Sequence, residues 1–275
     1  MKKSDFAAFI VYIAMFALAL LVGLFVIRGA ISDWGIQNSI LVVVLSIMVG
    51  VVFNALLLEL GHLLGAKAGG YLITMWSVLG LTFKKQKDGK FHFSLSGFEG
   101  LTGETKVVPK DIKKSSLSAY IAFPLLGYLL EVIGGVILMA WANREHVVNS
   151  SNKLGWLYIG SIVAITIGGM IYFYNIFPAR VDAVTDGYRM TFLNKAINRQ
   201  AYNQLLIADD KKRLGLPLGE APIYDDVTDF TAALNTKAVY EAIDKENYRA
   251  AIQIVQKSLD SVEHLSQSTK DEAML

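Results

Sequence analysis

A glutamate and a histidine stand three positions apart in the apolar sequence LLLELGHLLGAK, residues 56–67. Ionisable side chains are costly inside an apolar helix, so Glu59 and His62 are candidates for chemistry. In the zinc motif His-Glu-x-x-His, two histidines four residues apart bind the metal, and the glutamate activates a water molecule. Leu58 occupies the first position of that pattern, so one ligand is missing. Taken alone, the pair is better explained as a helix-end pair in which Glu59 and His62 are hydrogen-bonded to each other.

A second motif follows the last long apolar stretch, in the sequence NIFPARVDAVTDGYRM, residues 175–190. An Asn-x-x-Pro turn at Asn175 precedes the pair Asp186-Gly187. Together with the first motif, this arrangement resembles the site-2 proteases, the intramembrane zinc metalloproteases. The resemblance covers roughly residues 40–190.

The resemblance implies a function and a set of site residues. Members of the family hydrolyse a peptide bond within or beside a membrane helix, using zinc to polarise the carbonyl and activate water. On this chain the resemblance makes Glu59 the general base and His62 and Asp186 zinc ligands, with Leu58 where the third ligand would be if it were histidine. It also implies contacts with substrate for four residues, Phe91, Phe93, Asn175 and Pro178.

Two ligands are fewer than a catalytic zinc site normally has, because such sites keep three protein ligands and one open position. A leucine cannot coordinate zinc, so we expect a low affinity for the metal and doubtful activity. His92 is a candidate replacement ligand, although lone surface histidines rarely bind metal. Asp182 is an alternative to Asp186 as the acidic ligand, and Asp186 is preferred because Gly187 follows it.

Two further polar residues lie within apolar stretches. Glu131 should face the protein interior and find a partner, either as a substitute ligand or proton carrier at the site or in a hydrogen bond between helices. Asn54 precedes Leu58 by one helical turn, so it either lines the pocket or bonds to a neighbouring helix. The third apolar stretch also has Gly127 where family members often have an asparagine that contacts the substrate.

The elements that must position these residues are membrane helices. The chain is 53% hydrophobic and only 18% charged, which is too apolar for an ordinary soluble domain. Four apolar stretches are long enough to cross a bilayer as helices, at residues 6–27, 40–66, 118–141 and 154–177. The predicted fold class is therefore a mainly α-helical, multi-pass membrane protein.

Charge counting predicts the orientation of these helices. All but Arg28, Arg144 and Lys153 of the 26 lysines and arginines lie in the N-terminal tip, in residues 67–117 or after residue 177. Positive residues remain on the cytoplasmic side, so both termini and residues 67–117 are expected there. A net charge of +2 argues against a nucleic-acid partner. The chain has no cysteine, so any metal must be bound through nitrogen and oxygen.

A β-hairpin is predicted at about residues 76–98, between the second and third apolar stretches. Large apolar residues alternate with polar ones on both sides of Asp88-Gly89, a pair that suits the positive φ angles of a tight turn. Its exposed edge could accept a peptide as an extra strand, which is how substrate enters in the family. The alternative is an amphipathic hairpin that only covers the helix ends.

The composition changes after the last apolar stretch. We predict a membrane domain at residues 1–199 and a cytoplasmic region at residues 200–275, with a linker at 209–226 and two amphipathic helices beyond it. The helical pair resembles one tetratricopeptide unit. Because one such unit cannot bury its apolar face alone, it is expected to pack on the rest of the chain or on a protein partner.

Three functions are consistent with these features. The first is an intramembrane zinc protease acting on a transmembrane peptide or protein in a bacterial plasma membrane. The second is a pseudoprotease, natural or engineered, that binds a membrane peptide or partner without cutting it, and Leu58 is its main support. The third is a small transporter subunit that uses Glu131 in proton movement, which would require more paired polar residues in the other spans.

Overall fold

The structure is a computed structural model that describes residues 3–29, 32, 35, 38–95, 103–149, 153–178, 185–220 and 222–260. The protein is mainly helical with one small sheet. The first unit formed by its internal contacts comprises Met1–Val107 and Ser116–Met190, and the second comprises Val108–Ser115 and Thr191–Leu275. The division at residue 199 that the composition suggests stays a prediction.

Three helices of the described chain are long and apolar enough to cross a membrane: α2 (Ser39–Ala68), α3 (Leu117–Asn149) and α4 (Gly155–Ile176). Helix α1 (Lys3–Arg28) contains a shorter apolar stretch, Ile13–Val26, among the residues searched. Membrane-protein character is thus supported by three helices, and a fourth span stays a prediction. Helix α3 runs eight residues beyond the predicted end at 141, because no glycine or proline interrupts it before Asn149.

Helix α2 is the centre of the first unit, since it packs against both α3 and α4. Glycines allow the helix backbones to approach closely. A Cβ atom on Gly61 would lie 2.6 Å from Cα of Pro124, and one on Gly65 would lie 2.4 Å from the carbonyl oxygen of Ala119. This contact brings the C-terminal turns of α2 against the start of α3.

The predicted hairpin is part of a four-stranded sheet with the strand order β3-β2-β1-β4. Strands β2 (Leu81–Lys85) and β3 (Phe91–Leu95) form the antiparallel hairpin around Asp88-Gly89. Only Gly89 of that pair has a positive φ, at 77°. Hydrogen bonds from Gln86 to Lys90 and from Gly89 to Gln86 make this a three-residue loop with a glycine bulge, rather than a two-residue turn. Residues 96–98 of the prediction lie outside the described residues.

The predicted beginning of the first hairpin strand is wrong, because a second turn interrupts that stretch. Leu79, which the alternation placed in a strand, has a φ of 48° and lies with Gly80 (φ 84°) in a two-residue turn. That turn joins β2 to β1 (Tyr71–Val78), which pairs with it antiparallel. The pattern concealed this turn because leucine rarely adopts a left-handed conformation. Strand β4 (Gly103–Pro109), beside β1, was also not anticipated.

The second unit contains helices α6 (Ala196–Arg213), α7 (Asp229–Asp244) and α8 (Tyr248–Asp260), while α5 (Asp186–Leu193) spans the boundary. Helices α7 and α8 occupy the stretch in which two amphipathic helices were predicted. Helix α6 continues to Arg213, so the first residues of the predicted linker at 209–226 are helical. Thr228 and Thr231 form reciprocal capping bonds at the start of α7.

Candidate functional site

Glu59 and His62 lie in the last turns of α2, and both side chains are buried. Asp186 is also buried and begins α5. Nε2 of His62 lies 3.5 Å from Oδ2 of Asp186. The structure therefore brings together three of the residues to which the sequence assigns chemistry, from motifs more than 120 residues apart.

The ring of His62 is held by Tyr120 of α3. Nδ1 lies 3.1 Å from the carbonyl oxygen of Tyr120, and the two rings stack with their centroids 4.3 Å apart. A carbonyl can only accept, so Nδ1 carries the hydrogen and donates it, and Nε2 is turned toward Asp186. A backbone contact of this kind fixes the imidazole of a metal-binding histidine in its ligating orientation.

Asp186 is held by two side chains. Nδ2 of Asn175, near the end of α4, donates to Oδ2 at 2.8 Å, and Nη1 of Arg189 donates to Oδ1 at 2.7 Å. The following residue must be glycine, because a Cβ on Gly187 would lie 1.6 Å from the carbonyl oxygen of Ile176. The Asp-Gly pair therefore lets the start of α5 lie directly against the end of α4.

The hydrogen-bond partner of Glu59 lies in the sheet. Oγ1 of Thr105, on β4, donates to Oε2 of Glu59 at 2.6 Å. The hydroxyl of Tyr120 in turn donates to the backbone carbonyl of Thr105 at 3.1 Å. Strand β4 and α3 thus complete the surroundings of the two α2 residues.

Sequence reasoning missed Thr105, Tyr120 and Arg189. Arg189 had a visible signal, since it follows Asp186 by three residues and so lies on the same side of a helix. Thr105 and Tyr120 had none, because their contacts with Glu59 and His62 depend on how β4 and α3 pack against α2.

The donor set does not fit a catalytic zinc ion. His62 and Asp186 supply two protein ligands, whereas such a site needs three. The side chain of Leu58, which stands in the third position, is 4% exposed and has no donor atom. Oδ1 of Asp186 is already paired with the positive charge of Arg189. No group of three histidine, aspartate or glutamate side chains that could bind a metal occurs within the described residues.

His92, the candidate replacement ligand, lies in the hairpin. His92 is exposed on β3, and its Nε2 lies 3.1 Å from Oδ2 of Asp88 in the hairpin loop. Hydrogen bonds from the backbone of Lys90 and from His92 lower the pKa of Asp88, because they stabilise its ionised carboxylate. Asp182 lies outside the described residues.

Asn54 and Glu131 contact each other rather than the His62 site. Nδ2 of Asn54 donates to Oε1 of Glu131 on α3 and to the carbonyl oxygen of Ala164 on α4, each at 3.0 Å. Gly127 lies against Leu57, because a Cβ there would be 3.3 Å from the leucine Cγ. Asn54 and Glu131 thus form a hydrogen bond between helices.

The residues assigned to substrate binding divide into two groups. Phe91 and Phe93 are 51% and 57% exposed on β3, at the edge of the described sheet. Phe93 is opposite Phe83 in the register, and their rings are 5.2 Å apart. Asn175 is engaged with Asp186 instead, and Pro178 is exposed just beyond the end of α4. The two phenylalanines of the edge strand are therefore the members of this group that lie exposed on the described sheet.

No family model, no curated protein and no solved structure matches this chain. The resemblance to site-2 proteases accordingly stays a prediction from the two sequence motifs.

Proposed function

We propose that this protein is a site-2-protease-like pseudoprotease of a membrane, which binds a membrane-embedded peptide or protein without hydrolysing it. The observation that carries the proposal is the buried Leu58 in the place of a zinc ligand, beside an otherwise assembled Glu59, His62 and Asp186. Hydrolysis by a zinc-dependent mechanism remains the second candidate, supported by the convergence of those three residues.

Arg189 supports the pseudoprotease over the protease. A buried carboxylate needs a compensating charge, and in a zinc site the metal supplies it. Here the guanidinium of Arg189 donates to Oδ1 of Asp186, and Asn175 donates to Oδ2. The charge of Asp186 is therefore balanced by a side chain of the chain itself.

Strand β3 offers a surface for the peptide. In an antiparallel pair, residues alternate between positions that exchange hydrogen bonds and positions that do not. Gln86 bonds to Lys90, so His92 and Ser94 point their backbone groups to β2, and the groups of Phe91 and Phe93 point away from it. An extended peptide would bond to these outward groups and contact the exposed phenylalanine rings.

The setting of this function also belongs to the proposal. Three membrane-compatible helices and the distribution of lysine and arginine favour a multi-pass protein of a bacterial plasma membrane, with both termini in the cytoplasm. Exposed apolar residues on α7 and α8, such as Tyr240 and Ile252, favour a protein partner for the C-terminal helices.

Zinc content tests the metal side of the proposal. We expect the purified protein in detergent to contain no stoichiometric zinc and Leu58→His to acquire about one zinc per chain, because the histidine adds the third ligand. Leu60→His is the matched control, since Leu60 is on the same helix but 47% exposed, and it should gain none. Stoichiometric zinc in the unchanged protein would refute the pseudoprotease and favour the protease.

Peptide binding tests the role of the edge strand. The probe is a fluorescent peptide from a single-span membrane protein, chosen from a panel by binding to the unchanged protein in detergent. Phe93→Ala removes the ring and keeps the backbone N–H, whereas Phe93→Pro removes both, and proline is tolerated at an outward edge position. We expect binding to weaken with alanine and about tenfold further with proline, the equivalent of one backbone hydrogen bond. Equal affinities for the two variants would exclude strand addition at β3.

A further inference from the structure

Helices α2, α3 and α4 meet at a polar cluster that is separate from the His62 site. The side chain of Asn54 is fully buried. Its Nδ2 lies 3.0 Å from each of three oxygen atoms, the carbonyl oxygens of Gly50 and Ala164 and Oε1 of Glu131. Three acceptors around one amide atom identify that atom as the nitrogen, so the orientation of the amide is determined by its neighbours.

Two acceptor atoms in the cluster have no donor. Oδ1 of Asn54 and Oε2 of Glu131 are both buried without a hydrogen-bond partner in the described part of the chain. They border the same small space beside Gly168, where a Cβ atom would lie 2.5 Å from the amide oxygen and 2.8 Å from the carboxyl oxygen. Unpartnered acceptors are costly between apolar helices, so this space requires a donor or a cation.

We propose that this space holds a proton-binding site, in which Glu131 takes up a proton on Oε2 and donates the resulting hydrogen bond to Oδ1 of Asn54. The acid and the amide then form a closed ring of two hydrogen bonds, the second being the bond from Nδ2 of Asn54 to Oε1 of Glu131. An O–H bond forms on Oε2 of Glu131 and one O–H bond of a hydronium ion breaks, which leaves a neutral water molecule. The proposal is independent of the proposed function.

A proton satisfies the cluster better than a metal cation does. One hydrogen supplies both orphaned acceptors, whereas sodium or another hard cation needs about six oxygen ligands. One of the two Nδ2 hydrogens of Asn54 serves Oε1 of Glu131, and the nearby carbonyl oxygens of Gly50 and Ala164 share the other. Among the described residues, the other ionisable groups that interact with Glu131 are Tyr128 of α3 and Tyr172 of α4. Neither tyrosine carries a positive charge that would stabilise a carboxylate.

The proton would couple the packing of three helices. Asn54 belongs to α2, Glu131 to α3 and Ala164 to α4, so the ring and its third bond join all of them. Loss of the proton places a negative charge beside the amide oxygen of Asn54, and the ring opens.

Infrared difference spectroscopy of the purified protein tests this site. We expect the C=O stretching band of one protonated, hydrogen-bonded carboxylic acid at neutral pH, shifted in heavy water and absent from Glu131→Gln. Glutamine is uncharged and nearly the same size, so it should preserve the fold, as thermal unfolding would show. Glu145→Gln is the matched control on the same helix, where Glu145 accepts from Asn149, and it should keep the band.

Two results would overturn the proposal. Identical spectra for the unchanged protein and Glu131→Gln would mean that Glu131 is ionised. A rise in melting temperature with sodium but not potassium, lost in Glu131→Gln, would mean that the space holds a cation. If Glu131→Gln does not fold, absence of any carboxylic-acid band from the unchanged protein at neutral pH overturns the proposal. A band that persists in Glu59→Gln supports it, whereas a band lost in that variant belongs to the buried Glu59 and overturns it.

Discussion

Single side chains hold the candidate site together through hydrogen bonds that cross between elements. Tyr120 orients the ring of His62, Thr105 donates to Glu59, and Arg189 donates to Asp186. Each of these bonds satisfies a buried polar atom, and removing one partner leaves the other with its full desolvation cost. The site is therefore sensitive to substitutions at residues outside its two motifs.

Thr105 provides a test at this scale. We expect Thr105→Val to lower the free energy of unfolding by about 1–3 kcal/mol, because valine fills the same space and leaves Oε2 of Glu59 without its donor. Thr105→Ser keeps the hydroxyl and should cost less. Chemical unfolding in detergent measures both. An equal loss in the two variants would mean that packing of the threonine methyl group, rather than the hydrogen bond, stabilises this position.

Helices position the site through close backbone approach. Helix α2 can bring Glu59 and His62 against α3 only because Gly61 and Gly65 have no side chains at the contact. Asp186 reaches the same place because Gly187 permits α5 to begin against the end of α4. Small residues of this kind are the usual means by which membrane helices pack, since burial of apolar surface does not drive their association in lipid.

Gly61 provides a test of the contact between helices α2 and α3. Alanine at this position would bring its Cβ within 2.6 Å of the backbone of Pro124, so we expect Gly61→Ala to lower the melting temperature and to cost about 1–3 kcal/mol. Gly134→Ala on α3 is the control, because no atom lies within 4 Å of the added Cβ and alanine favours a helix. If the Gly61→Ala protein is as stable as the Gly134→Ala protein, the close contact between α2 and α3 is refuted.

For the whole molecule, the distribution of charge predicts which regions share a side of the membrane. The hairpin loop is rich in lysine, and the segment between α3 and α4 has few positive residues. The retention of positive loops in the cytoplasm then predicts that the sheet and the candidate site are on the cytoplasmic side.

The absence of cysteine allows a direct measurement of this orientation. We expect Lys87→Cys, in the hairpin loop, to react with a membrane-impermeant maleimide only after the cells are lysed. Lys153→Cys, just before α4, should react in intact cells. Labelling of Lys87→Cys in intact cells would invert the orientation and place the sheet outside the cytoplasm.

The sequence by itself determined three long apolar helices and the two motifs. Long apolar stretches are visible because a span needs about 20 consecutive apolar residues, and that requirement is local. The hairpin around Gly89 was visible for the same reason, since alternation and a turn residue are neighbours in sequence. Glu59, His62 and Asp186 could be named because ionisable residues are conspicuous beside apolar ones.

The tertiary structure alone decided which residues surround them. Strand β4 carries Thr105 to Glu59, and α3 carries Tyr120 to His62, across separations that no local pattern encodes. The turn at Leu79 was hidden because its left-handed backbone contradicts the preference of leucine. The partner of Glu131 was also undecided until the helices were packed, since an acid in an apolar helix requires a partner but does not specify which one.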